Sequence, residues 1–360
     1  MKKVLIIVPY LYDGGAERVA SLWANYLAED DNFEVHLLNY YKLEKEYYLS
    51  PRVTRHSFFE HESEYKMHKF LRLIIDSRRI KKVVKEVKPD VVLPFSHVTC
   101  ICTSIACKHQ KTQVYHTIRN NPWLEPGSKW IRVLRDHYIK KDKKLIVQND
   151  EQLEYFTGFK SLEKYIVYNP INDKCLEFSK AKYGEIKKII AVGRLAPQKN
   201  YFVMLEAMKK VLENKRDVTL DIYGDGFIKD EITNKIKELG LESNVTLKGN
   251  SQNVYERLVE SDLFLMTSDF EGFPNALLEA MALGVPAIST DCKTGPKDLI
   301  KHNETGLLAK TGDPSDIAEK ILQLLNNPKH AQTLAENAKK DCLNRFSKQN
   351  VKNQLKKIIL

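Results

Sequence analysis

Two glutamates, Glu271 and Glu279, bracket a turn-to-helix junction in the stretch Ser268-Asp269-Phe270-Glu271-Gly272-Phe273-Pro274-Asn275-Ala276-Leu277-Leu278-Glu279-Ala280-Met281-Ala282-Leu283-Gly284-Val285-Pro286. The apolar run Leu263-Phe264-Leu265-Met266 ahead of it reads as a buried strand. Pro274 suits a first helical position, where its missing N–H is an orphan in any case, and Gly284 suits a stop. The N–H groups at such a helix start carry partial positive charge and bind anions such as phosphate. A carboxylate just outside that start and a second one inside the helix could hold hydroxyls on either side of a bound diphosphate, with sugar and ribose the natural candidates. Either glutamate alone would read as a solvated side chain. The glycine, the proline and the second carboxylate at this spacing argue for a site.

A second set of charged residues lies upstream, in Ala191-Val192-Gly193-Arg194-Leu195-Ala196-Pro197-Gln198-Lys199-Asn200. Here a strand ends at a glycine, and Arg194 and Lys199 project from the loop that follows. Ligands of open α/β sheets sit beyond the carboxyl ends of the strands, so these cations fall at the right edge. A nucleoside diphosphate gains negative charge as it leaves a sugar, and fixed cations then stabilise the transition state more than the ground state. A plain surface ion pair is the alternative.

The elements that must position these groups follow from the hydrophobic pattern. Short apolar runs alternate with helical ones. Strands are expected at 4–8, 35–38, 91–95, 113–115, 145–147 and 165–168, then at 188–192, 219–223, 245–247, 263–266, 287–289 and 306–308. Continuous apolar character implies burial on both faces, and intervening helices imply right-handed βαβ units. The expected fold class is α/β, with two doubly wound Rossmann-like domains. The chain's 360 residues suit two domains, with a turn-rich join from Asn169-Pro170 to about Ile186. The first domain is expected over 1–170 and the second over 171–345. After the first strand comes Pro9-Tyr10-Leu11-Tyr12-Asp13-Gly14-Gly15, with no G-x-G-x-x-G, which weighs against a dinucleotide-binding enzyme. Gly14 and Gly15 still expose backbone N–H groups to a ligand.

Composition narrows the setting. No stretch approaches the roughly 20 apolar residues of a membrane span. The apolar run at Val4–Val8 is shorter than the ~7–15 residues of a signal segment, so a cytoplasmic location is expected. Cys100, Cys102, Cys107, Cys175, Cys292 and Cys342 show no paired C-x-x-C spacing and read as packed thiols. The net charge is +10, with a pI near 9.0. Much of it lies in Lys66, Lys69, Arg72, Arg78, Arg79, Lys81, Lys82, Lys85 and Lys88, and in Lys129, Arg132, Arg135, Lys140, Lys141, Lys143 and Lys144. Both stretches interleave apolar residues at helical spacing. Two surface helices with solvated basic faces explain them, and so does docking on an anionic membrane surface. A nucleic-acid-binding protein is a weak alternative, since no helix-turn-helix, zinc or RNP motif appears.

The pattern E-G-F-P-N-x-x-x-E-A-M-A-x-G-x-P, with Ser289-Thr290-Asp291-Cys292-Lys293-Thr294-Gly295-Pro296 after it, resembles the signature of retaining glycosyltransferases of family four, which have the GT-B fold. The resemblance covers nearly all the chain and is strongest from about Ile189 to Leu308. It implies a central cleft between the two domains, an acceptor-side first domain and a donor-binding second one. The last helix, about 346–360, would cross back onto the first. The loop from Gly193 resembles the family's G-R-x-x-x-x-K motif, whose Arg and Lys hold phosphates, here Arg194 and Lys199. Glu271 would hold sugar hydroxyls and Glu279 the ribose. Phe273, Pro274, Asn275, Ala276 and Leu277 would contact the donor, the last three by backbone N–H. Gly14, Gly15, Gly193, Gly224 and Asn253 would also lie on the donor, and His116, expected to end a strand, would touch the transferred sugar. Arg119 and Asn120 would face the acceptor or its phosphates.

The resemblance further implies transfer with retention, where the leaving phosphate takes the acceptor's proton. No D-x-D occurs, so no metal is expected, and no cofactor besides a nucleotide-sugar co-substrate, with a UDP-sugar favoured. The acceptor is expected to be a polyprenyl-diphosphate-linked glycan of capsule or lipopolysaccharide type, and the enzyme a monomer, peripheral at the inner face of the plasma membrane. A soluble small-molecule acceptor is the alternative.

Overall fold

Strands without polar residues need cover on both faces, and the chain supplies it in two compact units, residues Met1–Pro170 with Lys348–Leu360 and residues Ile171–Ser347. The structure is a computed structural model that describes residues 1–12, 14–62, 69–251 and 253–360, without the side chains of 69–71. In unit 1 the order is β1 (Lys2–Ile7), α1 (Gly15–Ala28), β2 (Phe33–Asn39), β3 (Thr54–Ser57), α2 (Lys69–Val87), β4 (Val91–Pro94), α3 (His97–Cys107), β5 (Gln113–Val114), β6 (His116–Thr117), α4 (Lys129–Asp142), β7 (Lys144–Val147), α5 (Asp150–Tyr155) and β8 (Glu163–Ile166). One parallel sheet runs β3-β2-β1-β4-β5 and a second runs β6-β7-β8, joined by a bridge from Phe95 to Thr117. Val4 to Ile7 are wholly buried at its centre.

Unit 2 carries β9 (Lys188–Val192), α6 (Tyr201–Asn214), β10 (Thr219–Tyr223), α7 (Lys229–Glu238), β11 (Val245–Gly249), α8 (Val254–Glu260), β12 (Leu263–Met266), α9 (Asn275–Leu283), β13 (Ala287–Thr290), α10 (Pro296–Leu299), β14 (Leu307–Ala309), α11 (Pro314–Asn326) and α12 (Pro328–Arg345). Its strands pair in the order β11-β10-β9-β12-β13-β14, all parallel. In both units the order reverses beside the first strand, which opens a crevice at the carboxyl ends there. The last helix, α13 (Lys348–Ile359), belongs to unit 1. Val351, Leu355 and Ile359 enter the core with Trp23 and Leu27 of α1. Lys348 and Lys352 pair with Glu29, and Lys356 with Asp30.

The expected strands recur with shifted ends, and three differences have physical causes. The segment 54–57 forms β3, an edge strand with half-buried and exposed residues, so it lacks the apolar run that marks the others. On α2, Ile80, Val84 and Val87 are buried as expected, but Ile74 is 52% exposed; Lys66 lies outside the described residues. On α4 the expected basic face is partly inverted. Arg135 is wholly buried, donating to the Glu125 and Pro122 carbonyls, while Trp130 is 83% exposed. All six cysteines are buried.

His116 corrects another expectation. The first sheet's strand ends before Tyr115, so His116 opens β6 rather than closing β5, and its ring is fully buried. Nε2 lies 2.8 Å from Asp142 of α4 and 3.2 Å from Ser104 of α3, and Ser104 donates to the same carboxylate. Burial alone would lower its pKa, but its hydrogen bonds with Asp142 and Cys100 and the Asp142 charge outweigh it and raise it to about 9. The imidazolium thus ties two helices to the sheet. A raised folded pKa contributes stability in full below the unfolded value of about 6.5, and that contribution is lost as pH rises through about 9. The unfolding free energy of unit 1 should therefore fall over that window, by about 3 kcal/mol at most. Asp142→Asn should flatten the fall in denaturant titrations; an equal slope in both proteins would refute the tie.

Candidate functional site

Two loops of unit 2 meet beyond the carboxyl ends of the neighbouring strands β9 and β12. The first, 193–200, is seated by glycine. Gly193 N–H bonds Tyr223 O, Leu195 N–H bonds Asp225 O, and Gly224 N–H bonds Gly249 O. Gly224 has φ +142°, and a Cβ there would overlap the Gly193 carbonyl, so only glycine lets the loops nest. The second loop, 267–274, is stitched to the first. Asp269 N–H bonds Gln198 O, Gln198 Nε2 donates to Phe270 O, Asn200 donates to Asp269, and Thr267 donates to Lys199 O.

This brings Lys199 and Glu271 together at 2.6 Å, with side-chain exposures of 21% and 7%. Ser268 also donates to Glu271 Oε1, at 2.6 Å. Thr294 donates to the Glu271 carbonyl. Gly295, at φ +99°, lies where a Cβ would press on Pro274, so the loop after β13 closes against the glutamate loop. A carboxylate this buried needs partners in place of water, and it has a cation and a hydroxyl. Tyr201, behind Gly193, donates to the Gly193 carbonyl; burial and then Glu271 push its pKa up. Arg194 is exposed, and its guanidinium makes no ion pair or hydrogen bond among the described residues, though its carbonyl accepts from Ala196 N–H.

The helix that follows is α9. Pro274 takes its N-cap with extended backbone rather than the expected first helical position, and Gly284 closes it in the left-handed region. The first intrahelical bond runs from Leu278 N–H to Pro274 O, so the N–H groups of Ala276 and Leu277 precede the ladder. Glu279 is 5% exposed and accepts a hydrogen bond from Tyr255 of α8 at 3.1 Å. Phe178 stands by the Tyr255 ring, 6.1 Å between centroids.

The other expected site residues divide. The Phe273 ring is buried against Phe346, 5.6 Å between centroids, so the ring packs the unit. Asn253 is exposed at the N-cap of α8. In unit 1, Gly14 caps α1 and Gly15 begins it, with the Glu17 carboxylate folded over Gly14. His116 has no exposed surface, which removes it from direct contact with a sugar. Arg119 lies over Trp23 and Phe95 and donates to Asn169; burial, against the pull of Glu17, lowers its pKa to about 9. The Asn120 side chain accepts from Asn121 N–H, and its carbonyl accepts from Gln152. Both residues thus bond within unit 1, while Arg119 Nε and Nη1 have no hydrogen-bond partner among the described residues. Among the described residues, no group of three or more His, Cys, Asp or Glu could hold a metal ion, and no helix is long and apolar enough to cross a membrane.

Ser268, Thr294 and Tyr255 were not assigned from the sequence. Ser268 and Thr294 lie inside quoted motifs, where hydroxyls beside a buried carboxylate were a usable signal. Tyr255 had none, since only the packing of α8 on α9 brings it to Glu279.

Residues 8–149 match the family model "Glycosyl transferase 4-like", and residues 174–341 match "Glycosyl transferases group 1". A Campylobacter jejuni alpha-1,4-N-acetyl-D-galactosaminyltransferase, whose named acceptor is a GalNAc- and diNAcBac-bearing PP-undecaprenol, is 28% identical over 100% of this chain and 98% of its own. A second C. jejuni protein, the N-acetylgalactosamine-N,N'-diacetylbacillosaminyl-diphospho-undecaprenol 4-alpha-N-acetylgalactosaminyltransferase, is 29% identical over 94% of both chains. The crystal structure of Anabaena HepE with UDP and glucose superimposes with a TM-score of 0.82, at 16% identity, over 100% of this chain and 99% of that one. Two parallel Rossmann-like units and two family models that together span most of the sequence lead to one conclusion: the chain belongs to the group 1, family-four-like glycosyltransferases of the GT-B fold.

Proposed function

We propose that this transferase moves a hexose or N-acetylhexosamine, with retention and without a metal, from a UDP-sugar to a polyprenyl-diphosphate-linked glycan at the cytoplasmic face of a membrane. The observation that carries this reading is the buried Lys199–Glu271 pair at the start of α9. The relatives named for undecaprenol-linked acceptors and the HepE complex with UDP support the substrate classes.

In this reading the donor diphosphate lies on the N–H groups at the start of α9, with Arg194 and Lys199 taking up the charge that grows as the sugar leaves. Glu271 aligns the hydroxyls of the transferred sugar with Oε1 held by Lys199 and Ser268. The acceptor hydroxyl passes its proton to the departing phosphate oxygen, so no separate base is required. Glu279, fixed by Tyr255, grips the ribose. Unit 1 serves the acceptor. Its helices α2 and α4 both pack on α3, and they expose Lys81, Lys82, Lys85, Lys129, Lys140 and Lys141 together with Trp130 and Val133. Basic residues around an exposed tryptophan suit an anionic bilayer surface, at about 1 kcal/mol for each charge near the headgroups.

Glu271→Ala should lower turnover of UDP-sugar by about 10²–10³-fold with the fold intact by circular dichroism. In the same assay, EDTA should leave wild-type turnover unchanged; loss restored by Mg²⁺ would refute the metal-free mechanism. Glu279→Ala should weaken UDP binding in calorimetry by about tenfold or more, and Tyr255→Phe by less. Co-sedimentation with phosphatidylglycerol vesicles should be strong at low salt, fall at raised salt and drop several-fold in Trp130→Ser. Absence of binding at low salt would favour a soluble acceptor.

A further inference from the structure

Unit 1 holds a cavity of about 220 Å³ on the side away from its crevice, lined by residues that include Ser104, Lys108, Gln113, Lys141, Asp142 and Lys144. Lys108 caps the carboxyl end of α3, Lys141 and Asp142 end α4, Gln113 opens β5 and Lys144 opens β7. The cavity therefore lies at the amino ends of these strands, whereas ligands of such sheets sit beyond the carboxyl ends. No residue expected from the sequence to meet the donor or the acceptor lines it.

The charges on its wall do not cancel. Asp142 is already held by the His116 imidazolium at 2.8 Å and by the Ser104 hydroxyl. Lys144 pairs with Glu163 at 2.9 Å and donates to the Tyr115 hydroxyl at 3.2 Å. Each of these pairs is neutral. Lys108 and Lys141 remain, both exposed and without an ion pair among the described residues; Lys141 has the Tyr138 ring, 5.6 Å from its centroid. The carboxyl ends of α3 and α4 oppose them with about half a negative charge each. Part of that is met locally, since His109 and Gln110 N–H both bond the Cys107 carbonyl and Lys143 N–H bonds the Ile139 carbonyl. At least about one unit of positive charge is left, and Lys111 and Lys143, exposed on the adjoining turns, add to it. Gln113 accepts from the Tyr115 hydroxyl at 3.3 Å through Oε1, which leaves its NH₂ to donate. Ammonium groups and an amide around a pocket whose carboxylate is already satisfied suit an oxyanion. The volume is below the roughly 300–1,000 Å³ of pockets for whole small-molecule ligands, so it takes a phosphate group and not a nucleotide sugar.

We infer that this cavity binds a phosphomonoester group, held between Lys108 of α3 and Lys141 of α4. The group is carried by a small soluble phosphate or by a lipid headgroup, and its chemistry in the cavity is the same. Once bound, it joins the ends of two helices that Ser104 and Asp142 already tie together, so it stabilises unit 1. The inference needs no step of the transfer reaction.

The test uses the full chain with UDP in excess, which fills the anion site at α9. Thermal unfolding is followed as inorganic phosphate or glycerol 3-phosphate is raised through the millimolar range, against sodium chloride of equal ionic strength. The midpoint should rise with phosphate and not with chloride. Lys108→Gln combined with Lys141→Gln should weaken the half-saturation about tenfold or more, whereas Lys81→Gln combined with Lys85→Gln on α2 should move it less than about twofold. In a second arm, co-sedimentation with phosphatidic acid vesicles is compared with phosphatidylglycerol vesicles of matched surface charge. A response to the soluble phosphates assigns the cavity to a free ligand. A preference for phosphatidic acid that Lys108→Gln abolishes, without a soluble response, assigns it to a headgroup. Neither response, or responses that the Lys108 and Lys141 substitutions leave unchanged in folded protein, would overturn the site.

Discussion

A carboxylate almost out of reach of water is the constraint on which the donor-side unit is organised. At 7% exposure Glu271 has lost most of its water, and a cation and hydrogen-bond donors must take its place. Lys199 and Ser268 do this, and the requirement explains much of what surrounds them. Lys199 must arrive from the loop after β9, so that loop must nest on the β10 loop, which demands glycine at 224. The loop after β13 must close over the Glu271 backbone, which demands glycine at 295. Four loops are therefore fixed by one buried charge pair at the point where the strand order reverses.

The two crevices differ in chemistry. The one in unit 2 joins a helix start to Lys199 and Arg194, a setting for anions. The one in unit 1 joins stacked tyrosines to Glu17, Glu62 and Arg72. A fold common to both units thus carries different chemistry in its loops.

The sequence made the sheets legible because strands buried on both faces must be written in Val, Ile and Leu. It hid β3, whose edge position permits Thr54, Arg55 and His56. Motif spacing led to Glu271, Lys199 and the α9 junction, since their partners lie on strands and loops of predictable order. Tyr255 was invisible because its bond to Glu279 joins separate helices. His116 and Arg135 misled for a shared reason: a polar residue name suggests solvent or ligand, yet each has its polarity consumed by the interior, His116 by Asp142 and Arg135 by backbone carbonyls. Trp130 misled in the opposite sense, an aromatic ring left outside.

Helix α13 has a consequence for biogenesis. Its Val351, Leu355 and Ile359 complete the interior that begins with β1 and α1, yet the ribosome makes them only after all of unit 2. Until they are made, the unit begun first keeps an open hydrophobic seam along α1, so its last packing step follows the synthesis of unit 2. Chaperone demand should concentrate on that exposed groove of the nascent polypeptide.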